Sequence, residues 1–327
     1  MRKAVLLSLV VLLSVSIIPA HAKVTRYLTG NAGDVSPVLA GPAHDLGGGS
    51  TDVDAALQWI IDQVRGCTSC STKVDVVILR STGSNGYNDY IYAMNGVDSV
   101  ETLVITKATD SNTTAVETTV KNAEVVFFAG GDQCDYVKNF KGTKVETAVE
   151  FVYAKGGGVG GTSAGTAILG DFTYDACRGS ITSVQALANP YHSYATFTYD
   201  FFKWANLQNT ITDSHFVPRD RMGRLLAFLA RQIKDGKASN ALGIAVNEVT
   251  SVVVDRNGIA TVMGDGPAYF VLADHMPEVC QSGTPLTYSN YKIWKVNSGG
   301  TFNLGTRPTT GYYTRSVTNG VISSDPY

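Results

Sequence analysis

The stretch "VGGTSAGTAILG", residues 159–170, places one serine, Ser163, among closely spaced glycines. Its centre, Gly161-Thr162-Ser163-Ala164-Gly165, fits the pattern G-x-S-x-G, in which a strand turns sharply into a helix and exposes the serine hydroxyl. Side chains at the two outer positions would collide with neighbouring backbone, and the N–H of Ala164 can face a developing negative charge. The stretch therefore predicts a strand-turn-helix unit. Ser163 is either a nucleophile on that turn or a small residue in a glycine-rich corner.

The chain around this stretch alternates short β-branched runs with amphipathic helical patterns, which is typical of a parallel α/β sheet. The strands are apolar without strict alternation, as expected when both faces are covered. In the first helix, Thr51 and Asp54 are placed as a capping box. The pattern predicts strands over 74–80, 100–106, 124–129, 210–213, 242–246 and 250–254, and helices over 54–64, 143–155 and 221–234.

From about residue 260 the sequence changes to alternating, aromatic-rich segments such as "AYFVLAD" and "YKIWKV". This alternation predicts antiparallel strands that complete the same domain. The fold class is therefore predicted to be α/β, with a mostly parallel central sheet flanked by helices and an antiparallel, β-rich C-terminal extension over 260–327. Residues 23–327 are expected to form one domain.

The N-terminus has the features of a secretory signal peptide. Arg2 and Lys3 precede an apolar run that ends in Ala20-His21-Ala22, an A-x-A cleavage pattern. We expect residues 1–22 to be removed after Ala22 and the mature protein to be secreted or periplasmic. No later segment approaches the roughly 20 apolar residues that a membrane span needs, so no membrane association is expected after cleavage.

Composition and charge limit the partners of the chain. Of its 327 residues, 44% are hydrophobic and 17% are charged, with a formal net charge of -2. This balance is ordinary for a globular protein and offers no basic stripe, so we expect no nucleic-acid partner. The sequence leaves open whether the chain forms a homodimer.

No motif predicts a cofactor or a metal. The Gly47-Gly48-Gly49 run lacks the third glycine of G-x-G-x-x-G and the lysine of a P-loop, so it is interpreted as a tight turn. Cys67 and Cys70 form a C-x-x-C pair without a second pair or a nearby histidine, which favours a structural bridge or inert thiols. The remaining cysteines are Cys134, Cys177 and Cys280; an exported chain favours disulfides, whose pairing the sequence leaves open.

Ser163 requires a base, and His215 is the best candidate. It ends an apolar strand in "TITDSHFVPRDRMGRLL", and ligands bind α/β sheets at the carboxyl ends of strands. The other histidines of the mature chain lie in loops or beyond the last core strands, and we expect them at the surface: His44, His192 and His275. The alternative for His215 is a hydrogen-bonded structural histidine.

Glu248 directly follows the predicted strand "LGIAV" and is the candidate acid that would hold His215 in the required tautomer. The alternative is a solvated turn carboxylate. The resulting chain order of serine, histidine and acid differs from the order of serine, acid and histidine in α/β-hydrolases, which weakens a lipase or esterase interpretation.

Two further segments are candidates for the walls of the site. In "FFAGGDQ", the N–H of Gly131 or its neighbour is a candidate second oxyanion donor, and Gln133 would face the pocket. Arg219, Arg221 and Arg224 cluster after His215, where they suit a carboxylate. A solvated basic helix start is the alternative, but it is unfavourable beside the positive end of a helix dipole and so favours a bound anion.

Six segments in this order resemble the cyanophycinase branch of the serine peptidases that include aspartyl dipeptidase, with a fold similar to the class I glutamine amidotransferases and to flavodoxin. They are "GGGSTDVDAALQWI", "FFAGGDQ", "GGTSAGTAILG", "ITSVQALANPY", "ITDSHFVPRDRMGRLL" and "GIAVNEVT". The resemblance covers most of residues 37–255. Glutamine amidotransferase chemistry itself uses a cysteine nucleophile, whereas this elbow carries a serine.

The resemblance implies hydrolysis of β-linked aspartyl peptide bonds without a cofactor, with Ser163 as nucleophile, His215 as base and Glu248 as orienting acid. Cyanophycinases release β-Asp-Arg dipeptides from a polymer of aspartate and arginine. The substrate pocket would be lined by Gln133, Asp213, Ser214, Arg219, Arg221 and Arg224, with the arginines on carboxylates and Asp213 on a guanidinium.

The chain departs from the family pattern at two positions. Ser214 stands where the family usually has glutamine, and Asn247 stands where it usually has an acid. The first change puts the identity of the polymer in doubt more than the chemistry. An aspartyl or isoaspartyl dipeptidase and a catalytically inactive peptide-binding relative remain the alternatives.

Overall fold

A computed structural model describes residues 24–327, so the signal peptide expected at residues 1–22 lies outside the described residues. The described chain forms these strands: β1 (Thr25–Gly30), β2 (Ala43–Gly47), β3 (Val74–Arg80), β4 (Val97–Val104), β5 (Val125–Phe128), β6 (Gly158–Thr162), β7 (Phe172–Tyr174), β8 (Phe197–Tyr199), β9 (Thr210–Asp213), β10 (Ala241–Val246), β11 (Thr250–Val254), β12 (Ile259–Gly264), β13 (Ala268–Ala273), β14 (Tyr288–Val296), β15 (Thr301–Asn303), β16 (Tyr313–Thr318) and β17 (Val321–Ile322).

The helices are α1 (Asp54–Arg65), α2 (Asn88–Tyr92), α3 (Ala108–Ser111), α4 (Thr114–Asn122), α5 (Gln133–Phe140), α6 (Lys144–Ala154), α7 (Ala164–Ala167), α8 (Ser183–Ala188) and α9 (Met222–Lys234), with a 3₁₀ turn over Ala205–Leu207. Within residues 24–327, no helix has both the length and the apolar character needed to cross a membrane.

The larger sheet has nine strands in the order β1-β4-β3-β5-β6-β2-β11-β12-β15. Its central block, β4-β3-β5-β6-β2, is parallel, as the sequence pattern predicts. Strand β1 and the three strands beyond β2 are antiparallel to their neighbours. The carboxyl ends of β2, β3, β5 and β6 therefore lie along one edge of the sheet, where loops meet.

A second sheet of six strands, β17-β16-β14-β13-β10-β9, corrects the expectation of one central sheet. Strands β9 and β10 are parallel to each other, but they belong to this second sheet, whereas β11 returns to the first. The C-terminal strands are antiparallel as expected but divide between the two sheets. Periodicity reports how a strand is covered and not which sheet it joins, so this division is not visible in the sequence.

Helix α1 buries its apolar face, including Leu57, Ile60 and Val64, but it has no capping box. The helix begins after Val53, and no side chain caps its N-terminus. The carboxylate of Asp54 instead accepts a hydrogen bond from the hydroxyl of Tyr90 at 2.5 Å. The predicted capping box was wrong because Val53, and not Thr51, is the N-cap, so Asp54 is the first residue of the helix and not the third.

His44, expected at the surface, is fully buried in β2 between β6 and β11. Its Nδ1 donates to the carbonyl oxygen of Val159 at 3.0 Å, and its ring stacks on Tyr153. Burial lowers the pKa of His44 to about 4, so the imidazole is neutral at neutral pH. The glycine and proline residues around it suggested a loop, but a short strand occupies this position.

The cysteines form two disulfides within residues 24–327. Cys67 pairs with Cys70, as the structural-bridge interpretation requires, and Cys134 pairs with Cys177 across 43 positions of sequence. Cys280 is a buried free thiol.

Candidate active site

Ser163 occupies a strained turn between β6 and α7, with φ of 54° and ψ of -114°. Two glycines make this turn possible. A β-carbon on Gly165 would lie 2.1 Å from the carbonyl oxygen of Phe128, and one on Gly161 would lie 2.7 Å from the carbonyl carbon of Gly165. Such approaches are sterically forbidden, so both positions require glycine. A strained residue held in this way is a common feature of functional sites.

The structure brings the three candidate catalytic side chains into one hydrogen-bonded chain. Ser163 Oγ lies 2.7 Å from Nε2 of His215, and Nδ1 of His215 lies 2.6 Å from Oε1 of Glu248. With the proton on Nδ1, His215 donates to the carboxylate and its Nε2 can accept the serine proton. The serine is partly accessible, whereas His215 is buried. This arrangement matches a nucleophile, a base and an orienting acid.

The three side chains come from both sheets. Ser163 follows β6 of the nine-stranded sheet, and His215 follows β9 of the six-stranded sheet. Glu248 lies in the short connection between β10 and β11, where the chain passes from the second sheet back to the first. The site therefore forms at the junction of the two sheets.

The Gly47-Gly48-Gly49 run connects these three loops through its backbone. The carbonyl oxygen of Gly47 accepts the N–H of Ser163 at 3.1 Å, and that of Gly48 accepts the N–H of His215 at 2.8 Å. The carbonyl oxygen of Gly49 accepts the N–H of Val249, next to Glu248, at 3.1 Å. Three successive carbonyls thus fix the backbone beside each member of the triad.

The same run is also packed too closely for side chains. A β-carbon on Gly48 would lie 1.7 Å from the carbonyl oxygen of Asn247, and one on Gly49 would lie 2.4 Å from Cε1 of His215. The sequence interpretation as a tight turn missed this role. The available signal was three glycines after a strand end with no phosphate-binding pattern, which indicates close approach of other backbone.

Burial lowers the pKa of His215 below its ordinary value of 6.5. The hydrogen bond to Glu248 opposes this effect, and the positive charges of Arg219 and Arg221 add to it. The imidazole is therefore neutral at neutral pH, which is the form that can accept a proton from Ser163.

As the first residue of α7, Ala164 has an N–H that no carbonyl of the helix accepts. This group is available to a developing oxyanion beside Ser163. On the other side, a β-carbon on Gly130 would lie 3.7 Å from Cβ of Ser163, whereas one on Gly131 would lie nearest to the hydroxyls of Tyr136 and Ser81. A side chain at position 130 would thus face Ser163, whereas one at position 131 would not, and the oxyanion role of Gly131 stays a prediction.

Asp213 and Arg224 are paired with each other in the structure. Two bonds join them, from Nε to Oδ2 at 2.8 Å and from Nη2 to Oδ1 at 2.5 Å, and both side chains are buried. Burial alone would raise the pKa of Asp213, but the charges of Arg224 and Arg221 outweigh it and the pKa is lowered. The sequence assigned both residues to substrate ions, whereas here each neutralises the other.

Arg219 and Arg221 lie on one side of the site, and Nη1 of Arg221 also donates to Oδ1 of Asp213 at 3.3 Å. With Arg224 and the segment from Ser180 to Ser183 they line a cavity of about 200 Å³. Arg219 is exposed, and Nη1 of Arg221 donates to the carbonyl oxygen of Ser214 at 2.8 Å. Burial lowers the pKa of Arg221 to about 10, so it keeps its positive charge. The cavity is positively charged and suits a carboxylate.

The remaining predicted residues have distinct positions. Gln133 is partly exposed at the start of α5, near the Gly130 side of the site. Ser214 is buried, and its N–H donates to Oδ1 of Asp213 at 2.9 Å. Asn247, where the family usually has an acid, accepts the N–H of Val217 through Oδ1 at 2.8 Å. Their roles in binding stay predictions.

Two mixed sheets with a hydrogen-bonded Ser-His-Glu chain at their junction define an α/β protein with a candidate hydrolytic site. The model of peptidase family S51 matches residues 82–223, which include Ser163 and His215. The chain is 26% identical to a cyanophycinase of Nostoc sp. over 220 residues, which are 65% of this chain and 68% of the relative. It is 24% identical to a cyanophycinase of Synechococcus elongatus over 225 residues, or 67% of this chain and 65% of the relative.

A solved structure has the same fold: a peptidase from an acI-B1 Actinobacterium superposes with a TM-score of 0.55 at 16% identity, over 82% of this chain and 98% of that one. The chain is thus similar to cyanophycinases and, over residues 82–223, to the peptidases of family S51. Within residues 24–327, no group of three or more His, Cys, Asp or Glu side chains is placed to hold a metal ion.

Proposed function

We propose that the protein is a serine-type peptidase that cleaves β-aspartyl peptide bonds, with cyanophycin as its substrate and β-Asp-Arg dipeptides as its products. The observation that carries the proposal is the continuous hydrogen-bonded chain from Ser163 Oγ through His215 to Glu248. The similarity to two cyanophycinases supports the substrate.

In the acylation step, Oγ of Ser163 attacks the carbonyl carbon while its proton passes to Nε2 of His215. Glu248 stabilises the imidazolium and keeps the ring in position. The N–H of Ala164 stabilises the oxyanion, and His215 returns the proton to the leaving amine. A water molecule then attacks the acyl-enzyme with His215 again as base, which releases the acid and restores Ser163.

The charge around the site supports an aspartyl substrate. Arg219 and Arg221 line the cavity beside His215, and the pair of Asp213 and Arg224 contributes no net charge to it. A free α-carboxylate next to a β-linked bond would neutralise this surplus of positive charge. We therefore place the aspartyl part of the substrate in this cavity.

Export of the protein is part of the same proposal. The chain starts with a segment that has the pattern of a signal peptide, and the two disulfides support an oxidising compartment. An exported enzyme of this kind would digest polymer released by other cells.

The test is incubation of purified mature protein with cyanophycin and, separately, with isoaspartyl dipeptides, with products identified by mass. We expect release of β-Asp-Arg, and a Ser163→Ala variant that folds normally with turnover reduced about 10⁴-fold or more. Cleavage of dipeptides alone would assign the protein as an isoaspartyl dipeptidase. No cleavage of either substrate, or full turnover by Ser163→Ala, would contradict the proposal and favour a peptide-binding relative.

A further inference from the structure

The disulfide between Cys134 and Cys177 crosses from one side of the candidate active site to the other. Cys134 is buried in the first turn of α5, directly after Gln133 and four residues after Gly130, where a β-carbon would lie 3.7 Å from Cβ of Ser163. Cys177 is exposed in the loop between β7 and α8, three residues before Ser180, which lines the arginine cavity. The bridge thus connects the two walls between which a substrate would lie.

The loop that carries Cys177, residues 175–182, has its own internal order. Asp175 accepts the N–H of Cys177 at 3.0 Å and the hydroxyl of Thr198 at 2.9 Å. The hydroxyl of Tyr174 accepts the N–H of Ile181 at 2.8 Å and donates to the carbonyl oxygen of Gly179 at 3.2 Å. The loop therefore keeps its local shape without help from the opposite wall.

What the loop lacks is a polar connection to that opposite wall. In the part of the chain that the structure describes, no hydrogen bond or salt bridge joins residues 175–182 to residues 130–141. The disulfide is a covalent bond between the two segments, from Cys134 to Cys177. Without it, no direct covalent or polar link between these two segments would remain in residues 24–327.

The triad is held in a different way. Ser163, His215 and the residue after Glu248 bind the carbonyls of Gly47, Gly48 and Gly49, and none of these contacts involves the loop at 175–182. Opening the disulfide would therefore change the width of the cleft and leave the spacing of the triad unchanged.

We propose that the Cys134–Cys177 disulfide is a strap that fixes the width of the substrate cleft, so that both cysteines are positioning residues for binding. The inference rests on the proposed function, because it assumes that the substrate contacts both walls. Since Cys177 is exposed, a thiol reductant can reach the bridge, and binding would respond to the redox state of the surroundings.

The test compares Cys134→Ala/Cys177→Ser with a matched control, Cys67→Ser/Cys70→Ser. The control removes a disulfide after the far end of α1, about 18 Å along that helix from the end nearest the site. We expect KM for a β-aspartyl peptide to rise about tenfold in the first variant and to stay unchanged in the control. The rate at which phenylmethylsulfonyl fluoride modifies Ser163 should stay within about twofold in both, because it measures the triad without the cleft.

If the first variant does not fold, the same comparison is made on the Cys67→Ser/Cys70→Ser protein. Treating the folded protein with dithiothreitol should raise KM, and reoxidation should restore it. An unchanged KM after the disulfide is opened would contradict the proposal. A rise in KM accompanied by an equal fall in the rate of Ser163 modification would contradict it as well. If the wild-type protein cleaves no β-aspartyl peptide, the proposed function fails instead, so the two failures are distinguishable.

Discussion

The imidazole of His215 lies against the α-carbon of Gly49, so closely that a β-carbon there would be 2.4 Å from Cε1. The adjacent carbonyl of Gly48 accepts the N–H of the same histidine at 2.8 Å. The glycine run at residues 47–49, far from His215 in sequence, thus determines the position of both the backbone and the imidazole ring of the candidate base.

Gly49→Ala should therefore reduce kcat/KM about 100-fold or more, because the new methyl group displaces the imidazole from Ser163. The matched control is Gly142→Ala. Gly142 also has a positive φ, of 70°, but no atom lies within 4 Å of its would-be β-carbon. Both variants carry backbone strain, so activity measured at equal folded fraction separates the two effects. Equal activity in the two variants would show that the contact with His215 is unimportant.

The strained backbone at Ser163 makes a second prediction, on stability. Ser163→Gly and Ser163→Ala both remove the hydroxyl, but only glycine accepts φ of 54° and ψ of -114° without strain. We expect the glycine variant to have a free energy of unfolding about 1 kcal/mol higher than the alanine variant. Urea denaturation of the two inactive proteins is the measurement, and equal midpoints would show that this turn stores no strain.

The pH dependence of activity should reflect the environment of His215. Burial is the main cause of its lowered pKa, with the charges of Arg219 and Arg221 as further contributions, so the acid limb of kcat/KM should lie below pH 6.5. Arg219→Ala removes a positive charge that disfavours the imidazolium. The pKa should rise, and the acid limb should move to higher pH.

The control for Arg219→Ala is Arg256→Ala, which removes an arginine that is not among the charges acting on His215. The measurement is the pH dependence of kcat/KM for each variant, from which the position of the acid limb is read. A limb that stays in place in Arg219→Ala, with only KM altered, would mean that Arg219 acts on the substrate and not on the base.

Arg224→Ala should mainly lower the free energy of unfolding, and its effect on substrate binding should be secondary. The change leaves the carboxylate of Asp213 buried beside Arg221 alone, and breaking a buried ion pair in this way costs about 3–5 kcal/mol. The exposed pair of Lys203 and Asp200 provides the control, because Lys203→Ala should leave the free energy of unfolding unchanged. The measurement is the thermal denaturation midpoint of Arg224→Ala and of Lys203→Ala, each compared with that of the wild type.

If Arg224→Ala is instead as stable as the wild type and only KM rises, the guanidinium is available to the substrate as the sequence suggested. A double variant, Asp213→Asn/Arg224→Ala, should recover part of the lost stability, because it removes both charges.

The sequence predicted the local elements well, because each depends on a period that its own residues display. Strands β3, β9 and β11 have the predicted bounds, and Ser163, His215 and Glu248 were chosen as candidates because each lies within two residues of the end of a strand. Their proximity follows from the rule that sites form at carboxyl ends of strands. The catalytic roles themselves stay predictions.

What the sequence missed depends on contacts between distant segments. The pairing of Asp213 with Arg224 was not recognised, because residues eleven positions apart on a strand and a helix show no common period. The burial of His44 and the role of Gly47 to Gly49 were missed for the same reason. The second sheet requires knowledge of which strands pair, and alternation does not contain it.

Because Ser163 follows a strand of one sheet and His215 follows a strand of the other, we expect Ser163 to be unreactive in a nascent or partly folded chain. A sheet that has formed alone leaves Ser163 with an ordinary hydroxyl, so we expect no attack on neighbouring chains until both sheets have folded and docked. The rate at which Ser163 becomes reactive to a covalent label during refolding would therefore report the rate at which the two sheets dock.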